Sequence, residues 1–167
     1  MDNTASFGRR CCLRRENVLK LSTRGRYALR MMLDIALHPD EPSVSLKSIA
    51  QRQEISVKYL EQIVTPLVRG GYLRASRGAQ GGYQLTRPPE EYTVGLILRV
   101  IEGSLAPVAC LEGGECVCTR QCQCVTVEVF RQIDQAIDSV VDHITLRDLV
   151  NMQHEKWGGD SPAQSPT

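Results

Sequence analysis

No run of 18 or more consecutive apolar residues occurs anywhere in the 167-residue chain, so no segment reads as a membrane-spanning helix. The basic N-terminal stretch lacks the apolar core of a secretory signal, and a cytoplasmic protein is expected. Catalytic arrangements are missing as well. Only three histidines are present, no His/carboxylate pair or Ser/His/Asp set supports a reaction, and no glycine-rich loop is placed to cradle phosphate, which argues against an enzyme. Internal repeats are absent, and the formal net charge is only +1. Against these absences, 42% of the residues are hydrophobic, enough to bury one ordinary core and to exclude a disordered tail or a collagen-like fibre.

The small net charge hides an uneven distribution. Residues 1–18 carry 4 Lys/Arg and 2 Asp/Glu, residues 19–88 carry 11 and 5, and residues 89–167 carry 5 and 12. A basic first half joined to an acidic second half points to a polyanionic partner met by the first half alone. Cysteine is equally uneven: five of the seven lie between Cys110 and Cys124, with Cys11 and Cys12 near the start. In a chain of the reducing cytoplasm such a cluster suggests metal binding or redox chemistry before it suggests a disulfide framework.

Residues 1–18 show no period and read as a disordered arm. Ser22 and Thr23 are cap candidates for a largely buried helix that ends near His38-Pro39. Ser45 caps a short helix carrying Leu46, Ile49 and Ala50 on one face. Ser56 caps the next, with Leu60, Ile63, Val64 and Leu67 at helical spacing and Gly70-Gly71 as its stop. Two short helices around a tight turn form a helix-turn-helix candidate. Pro66, inside the second, should kink its last turn. YLRAS and GYQLT then alternate like strands around RGAQG, with Gly78, Gly81 and Gly82 expected to turn the backbone through positive φ. Thr93 caps a helix striped by Val94, Ile97, Leu98 and Ile101. Past the cysteine loop, a long helix places Val127, Phe130, Ile133, Ile137, Val140, Val141 and Ile144 on one side and should need a partner. Thr145 and Asp148 suggest a short last helix, and the C-terminal residues 151–167 read as a disordered tail.

The fold class expected is mostly α with a small β-hairpin wing: a winged helix-turn-helix over 19–88, followed over 89–150 by a linker helix, a cysteine-rich sensor loop (104–124) and a dimerisation helix. A recognition helix presents N-terminal side chains to base edges in the major groove, which singles out Lys58, Tyr59, Glu61 and Gln62. Lys58 suits phosphate or guanine, Glu61 a cytosine amino group, and the wing residues Arg74 and Arg77 suit phosphate or the minor groove. The plainer alternative is that these are solvated charges of a small helical domain, with Tyr59 a core residue.

The runs LKLSTRGRYALRMMLDIALH, SLKSIAQRQEISVKYLEQIV, LRASRGAQGGYQL and TVGLILRVIEG closely resemble the Rrf2 family of bacterial winged helix-turn-helix transcriptional regulators, of the IscR, NsrR and CymR type. The resemblance covers roughly residues 19–150. It implies a homodimer with crossing C-terminal helices, a roughly palindromic double-stranded DNA operator, and operator contacts at Lys58, Tyr59, Glu61 and Arg77. Family chains begin near Leu19, so the first 18 residues are expected to be a mis-assigned start.

The loop reads CLEGGECVCTRQCQC, with cysteines at 110, 116, 118, 122 and 124. Grouped soft thiolates suit zinc or an iron-sulfur cluster, and composition alone does not separate the two. Free thiols are the bland alternative. The resemblance implies an iron-sulfur cluster, of the 2Fe-2S kind, on Cys110, Cys118 and Cys124, with zinc as the alternative. Relatives draw a fourth ligand from positions that here hold Val127 and Arg26, neither of which can bind, and Cys116 is the preferred replacement. His143 and His154 are expected on the surface.

Overall fold

In the computed structural model the described residues are 21–78, 81–112, 118, 120 and 123–157. Six α-helices and one hairpin follow in order: α1 (Thr23–Ala36), α2 (Leu46–Gln53), α3 (Val57–Arg69), β1 (Leu73–Ser76), β2 (Gly82–Leu85), α4 (Val94–Glu102), α5 (Val125–Val141) and α6 (Leu146–Trp157). Short 3-10 turns at Pro89–Glu91 and Ala109–Leu111 precede α4 and open the cysteine loop.

The helix starts are set by hydroxyl caps, each filling one orphan donor of a first turn. Ser22 accepts from the Gly25 amide at 3.1 Å, Ser45 from Ser48 at 3.1 Å, Ser56 from Tyr59 at 3.3 Å and Thr93 from Leu96 at 3.1 Å. Between α2 and α3, Glu54 takes the left-handed conformation at φ 54°, which makes the turn of the helix-turn-helix.

Helix α3 continues through Pro66 to Arg69. Proline has no amide hydrogen, so the carbonyl of Gln62, four residues earlier, loses its helical donor. The Arg24 guanidinium of α1 takes that place, donating to the Gln62 carbonyl at 3.0 Å. The proline is tolerated because a neighbouring helix supplies the missing hydrogen bond.

The hairpin pairs Leu73 with Leu85 and Ser76 with Gly82 in antiparallel register. Of the wing glycines, Gly78 has positive φ, at 118°, and Gly82 does not. Gly82 is needed for space instead, since a Cβ there would lie 2.5 Å from the Val44 carbonyl oxygen, where the chain before α2 bridges to the wing. The expectation of positive φ at Gly82 is therefore corrected: close backbone approach, not handedness, demands glycine there.

One core unites α1, α2, α3, the hairpin base, α4 and α6. Met31, Met32, Ile49, Leu60, Ile63, Leu67, Tyr92, Ile97 and Leu146 are fully buried within it, at about 1.5–3 kcal/mol per large aliphatic side chain removed from water. The core crosses the expected division at residue 88, because α4 packs against α1 and α3, and α6 against α1. Thr93 and Thr145 bridge, the Val94 amide donates to Ile144 at 2.9 Å, and the Leu146 amide donates to Tyr92 at 2.8 Å. The loop and α5 thus leave the core at the end of α4 and return beside its start.

Thr145 and Asp148 do cap the last helix, reciprocally. The Asp148 carboxylate accepts from the Thr145 amide and hydroxyl at 2.8 and 2.6 Å, and the Asp148 amide donates back to the hydroxyl at 3.1 Å. The expected tail boundary at 151 is corrected, because α6 runs on to Trp157, held by Leu146 and Val150 in the core. Residues 1–20, including Cys11 and Cys12, and residues 158–167 lie outside the described residues.

Candidate nucleic-acid interface and cysteine loop

Helix α3 buries Leu60, Ile63, Val64 and Leu67 and turns Lys58, Glu61 and Gln62 outward, as a capped amphipathic helix must. Tyr59 is half-buried and meets Tyr27 of α1 edge to face, with ring centroids 5.7 Å apart. Its ring is thus partly committed to packing. On the wing, Arg77 is exposed beside Gly78, and Arg74 stands opposite Gln84 in the register. With the Gln84 amide oxygen facing it, the Arg74 guanidinium donates at 3.1 and 3.2 Å.

The turn before α3 is fixed by a buried carboxylate that sequence reasoning passed over. Asp34 of α1 is 1% exposed. Its oxygens accept from Arg52 Nη2 at 2.5 Å, from Arg52 Nε at 3.1 Å and from Gln53 Nε2 at 2.8 Å, all at the end of α2. These hydrogen bonds raise the Arg52 guanidinium further above its ordinary pKa. A buried carboxylate is tolerable only when so fully paired, so the network holds α2 and its turn at one angle to α1. Arg30 adds a second grip on Gln53, reaching its carbonyl at 2.6 Å and its side-chain oxygen at 3.0 Å. The one sequence signal was the spacing Arg24, Tyr27, Arg30, a helical edge hidden in a segment read as core.

Tyr92 was also missed. Fully buried, its hydroxyl donates to the Tyr72 carbonyl at 2.9 Å and accepts from the Thr86 and Arg87 amides at 3.0 Å each. It pins the base of the wing to α4.

In the cysteine loop, Cys110 sits in the 3-10 turn, Cys118 is half-buried, and Cys124 is the N-cap residue of α5. Cys116 and Cys122 lie outside the described residues. The Thr126 hydroxyl is 3.1 Å from the Cys124 sulfur. Donation from that hydroxyl, aided by the Val127 and Thr126 amides and by Arg120, draws the thiol below its usual pKa. A thiolate-prone sulfur at a helix N-terminus has the donor chemistry that zinc or iron-sulfur binding asks for. Among the described residues, however, no three His, Cys, Asp or Glu side chains are grouped to hold a metal ion. His143 and His154 are exposed, and His143 Nδ1, just past the end of α5, lies 2.7 Å from the Ser139 carbonyl of that helix.

Helix α5, with 17 residues and about 25 Å of length, buries only Val127 and Val141. Val125, Val129, Phe130 and Val140 are exposed and Ile133 and Ile137 are half-buried, so its apolar stripe is only partly covered in the single chain. Arg99 of α4 ties the far end, donating to Asp142 at 2.6 and 3.0 Å and to Asp138 at 2.5 Å. No helix among the described residues is long and apolar enough to cross a membrane.

A family model for Rrf2, iron-dependent transcriptional regulator, matches residues 21–152. The protein Rrf2 of Nitratidesulfovibrio vulgaris is 44% identical over 132 residues, covering 79% of this chain and 87% of its own. Among solved structures, CymR (YrzC), the global cysteine regulator of B. subtilis, superposes with a TM-score of 0.66 at 41% identity, covering 80% of this chain and 97% of its own. IscR of T. potens gives 0.67 at 40% identity, covering 87% and 93%. These relatives are transcriptional regulators and not enzymes. With the capped α3, the wing and the family match spanning the same residues, the chain belongs to the Rrf2 family of DNA-binding transcriptional regulators.

Proposed function

We propose that the protein is a cytoplasmic homodimer that reads a roughly palindromic operator and reports iron-sulfur supply, redox state or nitric oxide through a 2Fe-2S-type cluster in the 104–124 loop. The observation that carries this reading is the placement of the cysteines: Cys124 begins α5, and the loop is the link between α4, packed in the reading head, and the helix with the uncovered apolar stripe. Cys110, Cys118 and Cys124 would hold the cluster, with Cys116 as fourth ligand. A bound cluster would supply a centre that can be reduced, oxidised or lost.

The remaining roles belong to the chain itself. Lys58, Tyr59, Glu61 and Gln62 face one half-site, and Arg74 and Arg77 carry the wing onto the backbone. Two copies pairing along α5 through Val129, Phe130 and Val140 set the distance between the reading heads. A shift of the loop would pass to the head through Cys124 at the start of α5 and the Arg99 ion pairs, and a coupling of about 1–3 kcal/mol would alter operator affinity roughly 5- to 150-fold. The second reading keeps the DNA site and gives the loop to zinc or to thiols alone, with the signal supplied by a protein partner. The B. subtilis cysteine regulator at 41% identity keeps this reading beside the first, as IscR of T. potens at 40% keeps the cluster.

The deciding experiment is anaerobic purification with a visible spectrum and joint measurement of iron, sulfide and zinc. Coloured protein with iron and sulfide supports the cluster. Colourless protein with about one zinc per chain refutes it. Replacing Lys58 and Arg77 in turn by alanine tests the DNA assignment, which fails if operator affinity is unchanged in both.

A further inference from the structure

Three contacts fall at steps of three along one edge of α1. Arg24 reaches the Gln62 carbonyl of α3, Tyr27 packs edge to face on Tyr59, and Arg30 holds Gln53 at the end of α2. Residues at that spacing share a helix face, so this edge runs alongside the recognition helix and back to its turn. The base-reading surface is thereby bordered by α1.

On that border two guanidinium groups converge on a single ring. Arg26 lies 5.9 Å and Arg30 5.4 Å from the centroid of Tyr27. Both are exposed and sit one helical turn apart. No carboxylate of the described residues is paired with either, although Arg52, Arg99, Arg131 and Arg147 all have acidic partners. Like charges four residues apart on a helix repel, so the pair is a local disadvantage in the free protein. An anion between or beside them would relieve it. Guanidinium is also the cation best shaped for a phosphate, to which it can donate two parallel hydrogen bonds, and stacking on an aromatic face orients its plane. Arg24 takes no part in this, being committed to the carbonyl that Pro66 leaves unpaired, whereas Arg30, whose Nε and Nη2 are held by Gln53, keeps its Nη1 donors for an anion.

We infer that Arg26 and Arg30, oriented by Tyr27, form a clamp for a DNA backbone phosphate at the edge of the groove that α3 enters. The contact is to phosphodiester and carries no base information. It adds to the six side chains assigned above, and it rests on the reading of α3 as the groove-entering helix.

The test uses the full chain and two duplexes of equal length, one enriched by the wild-type protein from a random-sequence pool and one of unrelated sequence. Binding is followed by fluorescence anisotropy between about 50 and 200 mM salt, where phosphate neutralisation dominates the salt response. Arg26→Gln and Arg30→Gln should each lower the slope of log affinity against log salt by about 0.9 for every phosphate left unneutralised, and weaken both duplexes alike by roughly three- to tenfold at the lower salt. Arg26→Lys, which keeps the charge, should retain the slope. Unchanged slopes in both glutamine variants would overturn the clamp while leaving α3 as the reader. A loss confined to the enriched duplex would overturn it too, since Arg30 would then act only by holding Gln53. If the wild-type protein enriches and binds no duplex, the DNA reading of α3 falls first and the clamp with it.

Discussion

Helices α3 and α5 carry apolar stripes of similar spacing and treat them in opposite ways. In α3, Leu60, Ile63 and Leu67 are completely buried, and α1 reinforces the helix at Gln62, at Tyr59 and at the preceding turn. In α5, Val127 and Val141 are buried and Ile133 and Ile137 only half-buried, while Val129 and Phe130 are exposed and Val140 is 56% exposed. A helix that stays mostly uncovered gains little from its own chain, since helical stability in water comes chiefly from packing one face. The reading head is therefore complete within one chain, and the long helix is shaped for something outside it.

Core truncation should separate the two regions most sharply. Leu60→Ala should lower unfolding free energy by about 2–5 kcal/mol in urea titrations, because the emptied site lies at the junction of α1, α2 and α3. Val129→Ala, at a side chain 58% exposed, should change it by less than about 0.5 kcal/mol at a protein concentration where the chain is monomeric. The contrast reverses for assembly. Phe130→Asp should leave the circular dichroism of the head intact, yet shift sedimentation toward the monomer and weaken operator binding at least about tenfold, since two linked heads bind far better than one. A Phe130→Asp variant that sediments as the wild type would remove α5 as the pairing surface.

Much of this division was legible in the residues. The caps Ser22, Ser45, Ser56 and Thr93 are local signals, each completed within three residues, and each holds in the structure. The stripe of α5 and its lack of a partner were readable for the same reason, because periodicity is a local property. What escaped were features made by chain segments distant in sequence. Asp34 is held by Arg52 and Gln53 from 18 and 19 residues away, a pairing that no local pattern shows. Nothing local shows α6 returning to α1, so its length was underestimated at Asn151 to Trp157. The cysteine positions were plain, but which sulfurs share a centre depends on the path of the loop and cannot be taken from spacing.

Pro66 and Arg24 give a finer test of how α3 is held. Arg24→Met should cost roughly 1 kcal/mol, the loss of one charge-assisted hydrogen bond to a carbonyl with no helical donor. In a Pro66→Ala background the new amide hydrogen serves the Gln62 carbonyl, and the same substitution should cost almost nothing. The coupling from the four-way cycle should therefore be about 1 kcal/mol, measured by urea unfolding. Additive effects would mean that Arg24 matters for its methylene packing and not for the carbonyl.

The smallest expected effect lies where α5 is tied down. Hydrogen bonds from Arg99 hold the Asp142 carboxyl below the usual carboxylate range, whereas burial, aided by the nearby Asp138, raises that of Asp134. A depressed folded-state pKa means that Asp142 contributes its stability above the unfolded value of about 3.9 and loses it as pH falls through the folded value. Asp134 acts with the opposite sign, since its protonation relieves a penalty as acid is added. Asp142→Asn should thus flatten the acid limb of stability below about pH 4 and cost less than about 1 kcal/mol at neutral pH, because both partners are more than a third exposed and screened by solvent. The loss should also shrink in high salt. An acid limb identical to the wild type would show that Arg99 steadies α5 through Asp138 alone, and that this end of the helix is held as loosely as its exposed middle.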